Sequence, residues 1–205
     1  MIQVIKRPRL GILVSGTGTI LEKLIAEDLV DFALADRVCP AIDIARERGI
    51  PVELVLREDF TFMKRFARGA YTRSVVDVLH RYHISLVAMA GFMTVFSEPM
   101  FEVGAYPGLL LNTHPALLPA FPGNNAVQEA LDYGVRVTGC TIHIATLKVD
   151  AGPILAQEPV RVLPGHTKET LHEDIKNVER VLYPQVIRKA LEALAAGHTV
   201  LTAFP

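Results

Sequence analysis

The chain has 205 residues, half of them apolar, with 21 Lys plus Arg against 22 Asp plus Glu. That length and apolar content suit one domain with a substantial core over residues 1 to 205, and the near-balanced charge leaves no global field to favour nucleic acid or an anionic membrane. Cys39 and Cys140 show neither the CxxC spacing of a zinc or redox site nor the density of a disulfide scaffold, so reduced thiols in a cytoplasmic protein are expected.

The opening MIQVIKRPRLGILVSG sets basic residues before an apolar run that is too short for a membrane span and lacks a cleavage pattern. It reads as leading into a first strand, Leu10 to Val14. After Ser15-Gly16-Thr17-Gly18-Thr19, the apolar residues Ile20, Leu21, Leu24 and Ile25 recur at helical spacing. Pro40 to Arg48 reads as a second helix stopped by Gly49, with Val52 to Leu56 the next strand. Phe62 to Tyr82 reads as one long amphipathic helix. Ser85 to Ala90 and Leu109 to Leu111 are nearly unbroken apolar runs, as in strands covered on both faces. Val137 to Leu147 and Ile154 to Val162 are β-rich and flank Asp150, Gly152 and Pro153, which predicts an antiparallel edge. Thr167 caps a final helix over Lys168 to Ala195, with Pro184 expected to break or kink it. Alternating strands and helices of this kind predict an α/β fold: a mostly parallel, Rossmann-like sheet with helices on both faces and an antiparallel C-terminal edge.

Three segments carry chemistry. In the first, the glycine turn at Ser15 to Thr19 joins a strand to a helix, where backbone amides can hold a phosphate. Leu21 stands where a dinucleotide fingerprint would have its third glycine, and no P-loop lysine follows, so the NAD and P-loop readings weaken. A tight turn that merely needs glycine remains open. In the second, a buried strand ends in Asn112-Thr113-His114-Pro115. Strand alternation puts Asn112 and His114 on one face, beyond the carboxyl end of the sheet, where an amide and an imidazole suit a developing oxyanion and a proton transfer. By itself His114 would be an ordinary hydrogen-bonded strand-end histidine. Pro115 to Gly123, with its three prolines, reads as a stiff wall. In the third, Asp150 sits at a turn; it would orient the imidazole if it lay beside His114, or else merely hydrogen-bond its own backbone. His143, flanked by apolar residues, reads as a satisfied strand histidine, and His80 and His83 as a solvated helix end. No His or Cys spacing suits zinc, so no metal is expected.

The motifs A-G-F-M at Ala90 to Met93, N-T-H-P-A-L-L-P-A-F-P-G at Asn112 to Gly123 and V-D-A-G-P-I-L at Val149 to Leu155 together resemble the phosphoribosylglycinamide formyltransferases, in the folate-dependent formyltransferase superfamily. The resemblance implies direct transfer of a formyl group from 10-formyltetrahydrofolate to the amine of glycinamide ribonucleotide, in purine biosynthesis, through a tetrahedral intermediate and without a covalent enzyme adduct. His114 and Asn112 would act on the oxyanion, and Asp150 would orient His114 and help move the amine proton. The phosphate loop would be Thr17, Gly18 and Thr19, with Lys176 and Glu179 reaching the phosphate and the ribosyl-glycinamide. The folate pocket would form around Arg68, Phe92, Met93, Thr94, Val95, Phe96 and the backbone from Leu147 through Val149 to Asp150. The partners implied are these two small molecules, for a monomer or homodimer. Lys176 with Glu179 could instead be a surface ion pair, and Phe92 and Met93 could be core. Three positions depart from the pattern: Ile20 where Asn usually follows the phosphate turn, Thr94 where Arg commonly follows A-G-F-M, and Asn125 where a His often follows P-G. The stretch from Leu29 to Arg37 is also short. These departures leave a formyltetrahydrofolate hydrolase, or a transferase acting on another amine, as alternatives.

Overall fold

The computed structural model describes residues 7 to 204, so the first six residues of the opening basic segment lie outside it. In chain order the elements are β1 (Leu10–Val14), α1 (Thr19–Ala26), β2 (Phe32–Ala35), α2 (Pro40–Glu47), β3 (Val52–Leu54), β4 (Thr61–Phe62), β5 (Arg65–Phe66), α3 (Arg68–Arg81), β6 (Leu86–Ala90), β7 (Leu110–His114), α4 (Ala126–Tyr133), β8 (Val137–Ile144), β9 (Ile154–Arg161) and α5 (Lys168–Ala195). Seven strands form one sheet in the order β3-β2-β1-β6-β7-β8-β9, parallel from β3 to β7 and antiparallel at β8 and β9. The result is an α/β domain of the expected class.

Why the central strands read as unbroken apolar runs is clear from their two faces. Along β1, Leu10, Ile12 and Val14 belong to one core cluster and Leu13 to the other; along β6, Leu86 and Ala88 face the first and Val87 the second. Each face is covered, so alternation with polar residues is lost. The first core holds residues of α1, α2, α4 and α5, and the second is built around Tyr71, Val75 and Leu79 of α3 with Met100 and Tyr106.

Two expectations are corrected. Phe62 to Tyr82 is not one helix: Thr61–Phe62 and Arg65–Phe66 form a small antiparallel hairpin, and α3 starts at Arg68. Its turn residues, Met63 and Lys64, have φ of 46° and 62°, a left-handed pair incompatible with helix. Pro184 does not break α5, which runs unbroken from Lys168 to Ala195 under a Thr167–Thr170 capping box. The short stretch at Leu29 to Arg37 contains β2. Neither β2 nor α4 was anticipated.

The fold positions the site through its switch point. From β1 the chain moves to β2 on one side and reaches β6 on the other, so the loops after β1, β6 and β7 leave a common edge and diverge. That is where open α/β sheets hold ligands.

Candidate active site

A cleft of about 420 Å³ opens at this edge. The loops after β1 and β6, the end of β7 and one stripe of α5 line it.

His114, the last residue of β7, is 4% exposed. Its Nε2 donates to the Phe121 carbonyl at 2.8 Å, which leaves Nδ1 facing Asp150 Oδ2 at 3.4 Å. The same Oδ2 accepts the Gly123 amide at 2.7 Å, so Asp150 fastens the far end of the proline-rich wall and faces the imidazole at once. Asp150 sits at φ 53°, a left-handed conformation in which an aspartate is tolerated. Gly152 is required beside it, because a Cβ there would overlap the Ile144 carbonyl oxygen.

Asn112, two residues before His114, shares its cleft-facing side, as strand alternation predicts. Its Nδ2 donates to Nε2 of His143 at 3.1 Å. His143 is the residue that sequence reasoning missed as part of the site. The β7–β8 register places it opposite Asn112, and its Nε2 lies 3.6 Å from Asp150 Oδ1. Its Nδ1 donates to the Ile144 carbonyl at 3.1 Å, which fixes Nε2 as the acceptor. Burial pushes the His143 imidazole below its ordinary value, against the opposing pull of the Ile144 carbonyl and Asp150, so the ring is held neutral. It is both a satisfied strand histidine and a wall of the site. Only the antiparallel register, which sequence does not print, would have shown the second role.

On one side of this cluster lies the glycine turn. Gly18 is the N-cap of α1 at φ 81°, and a Cβ there would sit 3.0 Å from Ala41 Cα, so the backbone needs glycine whatever binds. No side chain caps this helix start, and Thr17, Gly18 and Thr19 line the cleft. Across from it, α5 contributes Lys176 and Glu179, together with His172. Lys176 Nζ reaches Glu173 at 3.9 Å, and among the described residues no ion pair joins it to Glu179. Burial pushes the Glu179 carboxyl up to about 6, with Thr113, Lys176 and Arg180 pulling the other way.

On the other side lies the loop after β6. Phe92, Met93, Thr94, Val95 and Phe96 line the cleft, as does Val149, whereas Arg68 and Leu147 lie outside its lining. Phe92 stacks on buried Phe96, with ring centroids 5.5 Å apart, while Met93 is 57% exposed and is not core. Thr94, in place of the usual arginine, is buried and donates to Asp36 Oδ2 at 2.7 Å. The Met93 amide donates to Ser15 Oγ at 3.0 Å, and Arg37 pairs with Asp36 at 3.0 Å. Asp36, just after β2, thereby anchors the loop after β6 through Thr94, and the Met93 amide joins that loop to the one after β1. Asn125 does not line the cleft and precedes α4 as its N-cap residue.

Both cysteines are free and buried, and burial pushes the Cys140 thiol up to about 12, which removes it as a nucleophile. Among the described residues no cluster of His, Cys, Asp and Glu is arranged to hold a metal ion, and no helix is long and apolar enough to cross a membrane.

The profile of the formyl transferase family matches residues 9–187. The chain belongs to the formyl transferase family. Within it, the chain is 42% identical over 200 residues to phosphoribosylglycinamide formyltransferase of Mycobacterium tuberculosis, covering 94% of this chain and 88% of that protein. It is 37% identical over 201 residues to the trifunctional purine biosynthetic protein adenosine-3 of Homo sapiens, where the match covers 94% of this chain and 19% of the longer one. The fold of this formyl transferase superposes on glycinamide ribonucleotide transformylase 1 from Symbiobacterium toebii with a TM-score of 0.83 at 35% identity, covering 93% and 90% of the two chains.

Proposed function

We propose that this chain transfers a formyl group from 10-formyltetrahydrofolate to the amine of glycinamide ribonucleotide, as a purine-biosynthetic step in the cytoplasm. Residues 1 to 205 form one formyltransferase domain, acting as a monomer or homodimer on these two small molecules, with no metal, nucleic acid or membrane partner. The observation that carries this is the cluster of Asn112, His143, Asp150 and His114 set between a glycine turn and an aromatic loop, within contacts of 3.1 to 3.6 Å.

In this reading the ribonucleotide phosphate meets the amides of Thr17 to Thr19 and Lys176, its ribosyl-glycinamide meets Glu179, and its amine reaches the cluster. The folate lies along Phe92 to Phe96 and Val149, with Arg68 and Leu147 at the rim. The amine nitrogen attacks the formyl carbon, and the carbonyl oxygen gains the charge. The second N–H of Asn112 Nδ2 and the His114 imidazole stabilise that oxygen. Asp150 accepts the amine proton through water. When the intermediate collapses, the bond from the formyl carbon to folate N10 breaks and N10 takes, through water, the proton that Asp150 accepted, which restores the carboxylate. His143 acts by fixing the rotation of the Asn112 amide. Thr94 and Ile20 alter contacts to the ligands and leave this chemistry intact.

The test is turnover of 10-formyltetrahydrofolate with and without glycinamide ribonucleotide. Consumption that requires the ribonucleotide and yields its formylated amine supports the proposal. Ribonucleotide-independent release of formate would make the chain a hydrolase, and turnover with another amine alone would move the substrate assignment.

A further inference from the structure

Ile20, in the position after the glycine turn, is 7% exposed and packs into the core with Leu21 and Leu24. The turn therefore offers backbone amides and no side-chain amide at this position. Facing the same cleft, α5 presents His172, Lys176 and Glu179 at spacing i, i+4 and i+7, a single stripe of one helix. Glu179 lies beside Thr113 near the end of β7, and His172 lies about two turns nearer the helix start.

His172 differs from its neighbours in having nothing to bond. Lys176 reaches Glu173, and Arg180 is held by Glu173 and Asn177, but among the described residues no hydrogen bond or ion pair involves the His172 ring. The ring is half-buried against the cleft wall, so its polar atoms are partly desolvated without compensation from the protein. We propose that His172 binds the phosphate end of the ribonucleotide, donating a hydrogen bond from α5 in place of the side-chain donor that Ile20 cannot supply. Burial and the Lys176 ammonium keep the free imidazole below its ordinary value. An arriving phosphate adds negative charge to which both basic groups can donate. The inference rests on the ribonucleotide assignment above.

Steady-state kinetics with glycinamide ribonucleotide and with its dephosphorylated nucleoside tests it. His172→Ala should raise KM for the ribonucleotide roughly tenfold or more, the loss of one hydrogen bond to a charged group, with kcat and the folate KM near wild type. The same variant should leave kcat/KM for the nucleoside unchanged, and His172→Gln, which keeps an N–H donor, should recover part of the loss. A His172→Ala effect of equal size on both substrates, or none, overturns the inference. If Lys176→Ala raises the ribonucleotide KM and His172→Ala does not, His172 has no part in a phosphate site that still stands. If neither substitution moves it, the phosphate site falls as well.

Discussion

The Nδ2 amide of Asn112 donates to Nε2 of His143 across the β7–β8 pair at 3.1 Å. One proton of that amide is thereby fixed in the strand pair, and the other is left to point into the cleft. His143→Ala should lower kcat by roughly tenfold or more, short of removing an oxyanion donor outright, while the KM for each substrate changes little. His143→Gln, able to accept the same bond, should recover part of kcat. Equal rates in wild type and both variants would show that the Asn112 amide needs no partner.

The neutral state of His143 also has a pH signature. Its value in the fold lies below the ordinary 6.5, with burial the main cause. Protons therefore favour the unfolded chain, so this contribution to stability is present above about 6.5 and is lost as pH falls through the folded value. Thermal melts of wild type should fall off more steeply below that pH than melts of His143→Gln. Parallel curves would contradict the assignment.

Asp150 does two things with one carboxylate, and substitutions separate them. Asp150→Asn keeps an oxygen for the Gly123 amide but loses the charge, so kcat should fall by roughly a hundredfold or more with a near-normal melt. Asp150→Ala frees the wall as well and should cost a further 1 to 3 kcal/mol of stability, about the value of a buried bond to a charged group. Near-normal activity in Asp150→Asn would remove it from the chemistry.

Glu179 carries an energetic cost when the site is empty. Burial raises its carboxyl from 4.5 to about 6, so its contribution is fully present below the ordinary value and is lost as pH rises through about 6. Glu179→Gln should stabilise the ligand-free protein at neutral pH by about 1 to 2 kcal/mol and raise the ribonucleotide KM. A variant that is no more stable than wild type above that range would show that the carboxylate is already well solvated.

Asp36 accepts a hydrogen bond from Thr94 of the loop after β6 and pairs with Arg37. Burial raises its carboxyl, but hydrogen bonds from Arg37, Thr94 and Ser15 outweigh it, and the net value lies below the ordinary 3.8. Its stabilisation is present above about 3.8 and is lost as pH falls through the lower folded value. Asp36→Ala should destabilise by about 1 to 3 kcal/mol by orphaning the buried Thr94 hydroxyl, and should raise the folate KM by loosening the loop after β6. An unchanged folate KM would confine Asp36 to stability alone.

The parts of the fold legible in sequence were those whose pattern and punctuation agreed. β1 and β6 are apolar runs long enough for strands, and α5 has Thr167 at its start and helical periodicity behind it. Phe62 and Phe66 misled because a spacing of four imitates a helix face, while the Met63-Lys64 turn carries none of the Gly or Asn that usually announces left-handed residues. β2, Phe-Ala-Leu-Ala, offers no β-branched residue, and its strand state comes from lying between β1 and β3. Asn112, His114 and Asp150 could be picked out because strand alternation and a turn place them. His143 and Asp36 could not, since each joins the site through pairing between distant segments.

The most direct measurement follows the formyl carbon itself. With 13C-formyl-tetrahydrofolate and glycinamide ribonucleotide, the label should appear as a formamide on the ribonucleotide amine at a rate set by the enzyme, and should stay on folate when the ribonucleotide is withheld. His114→Ala should abolish that transfer. Label accumulating as free formate regardless of the ribonucleotide, or transferred as fast by His114→Ala as by wild type, would contradict the account.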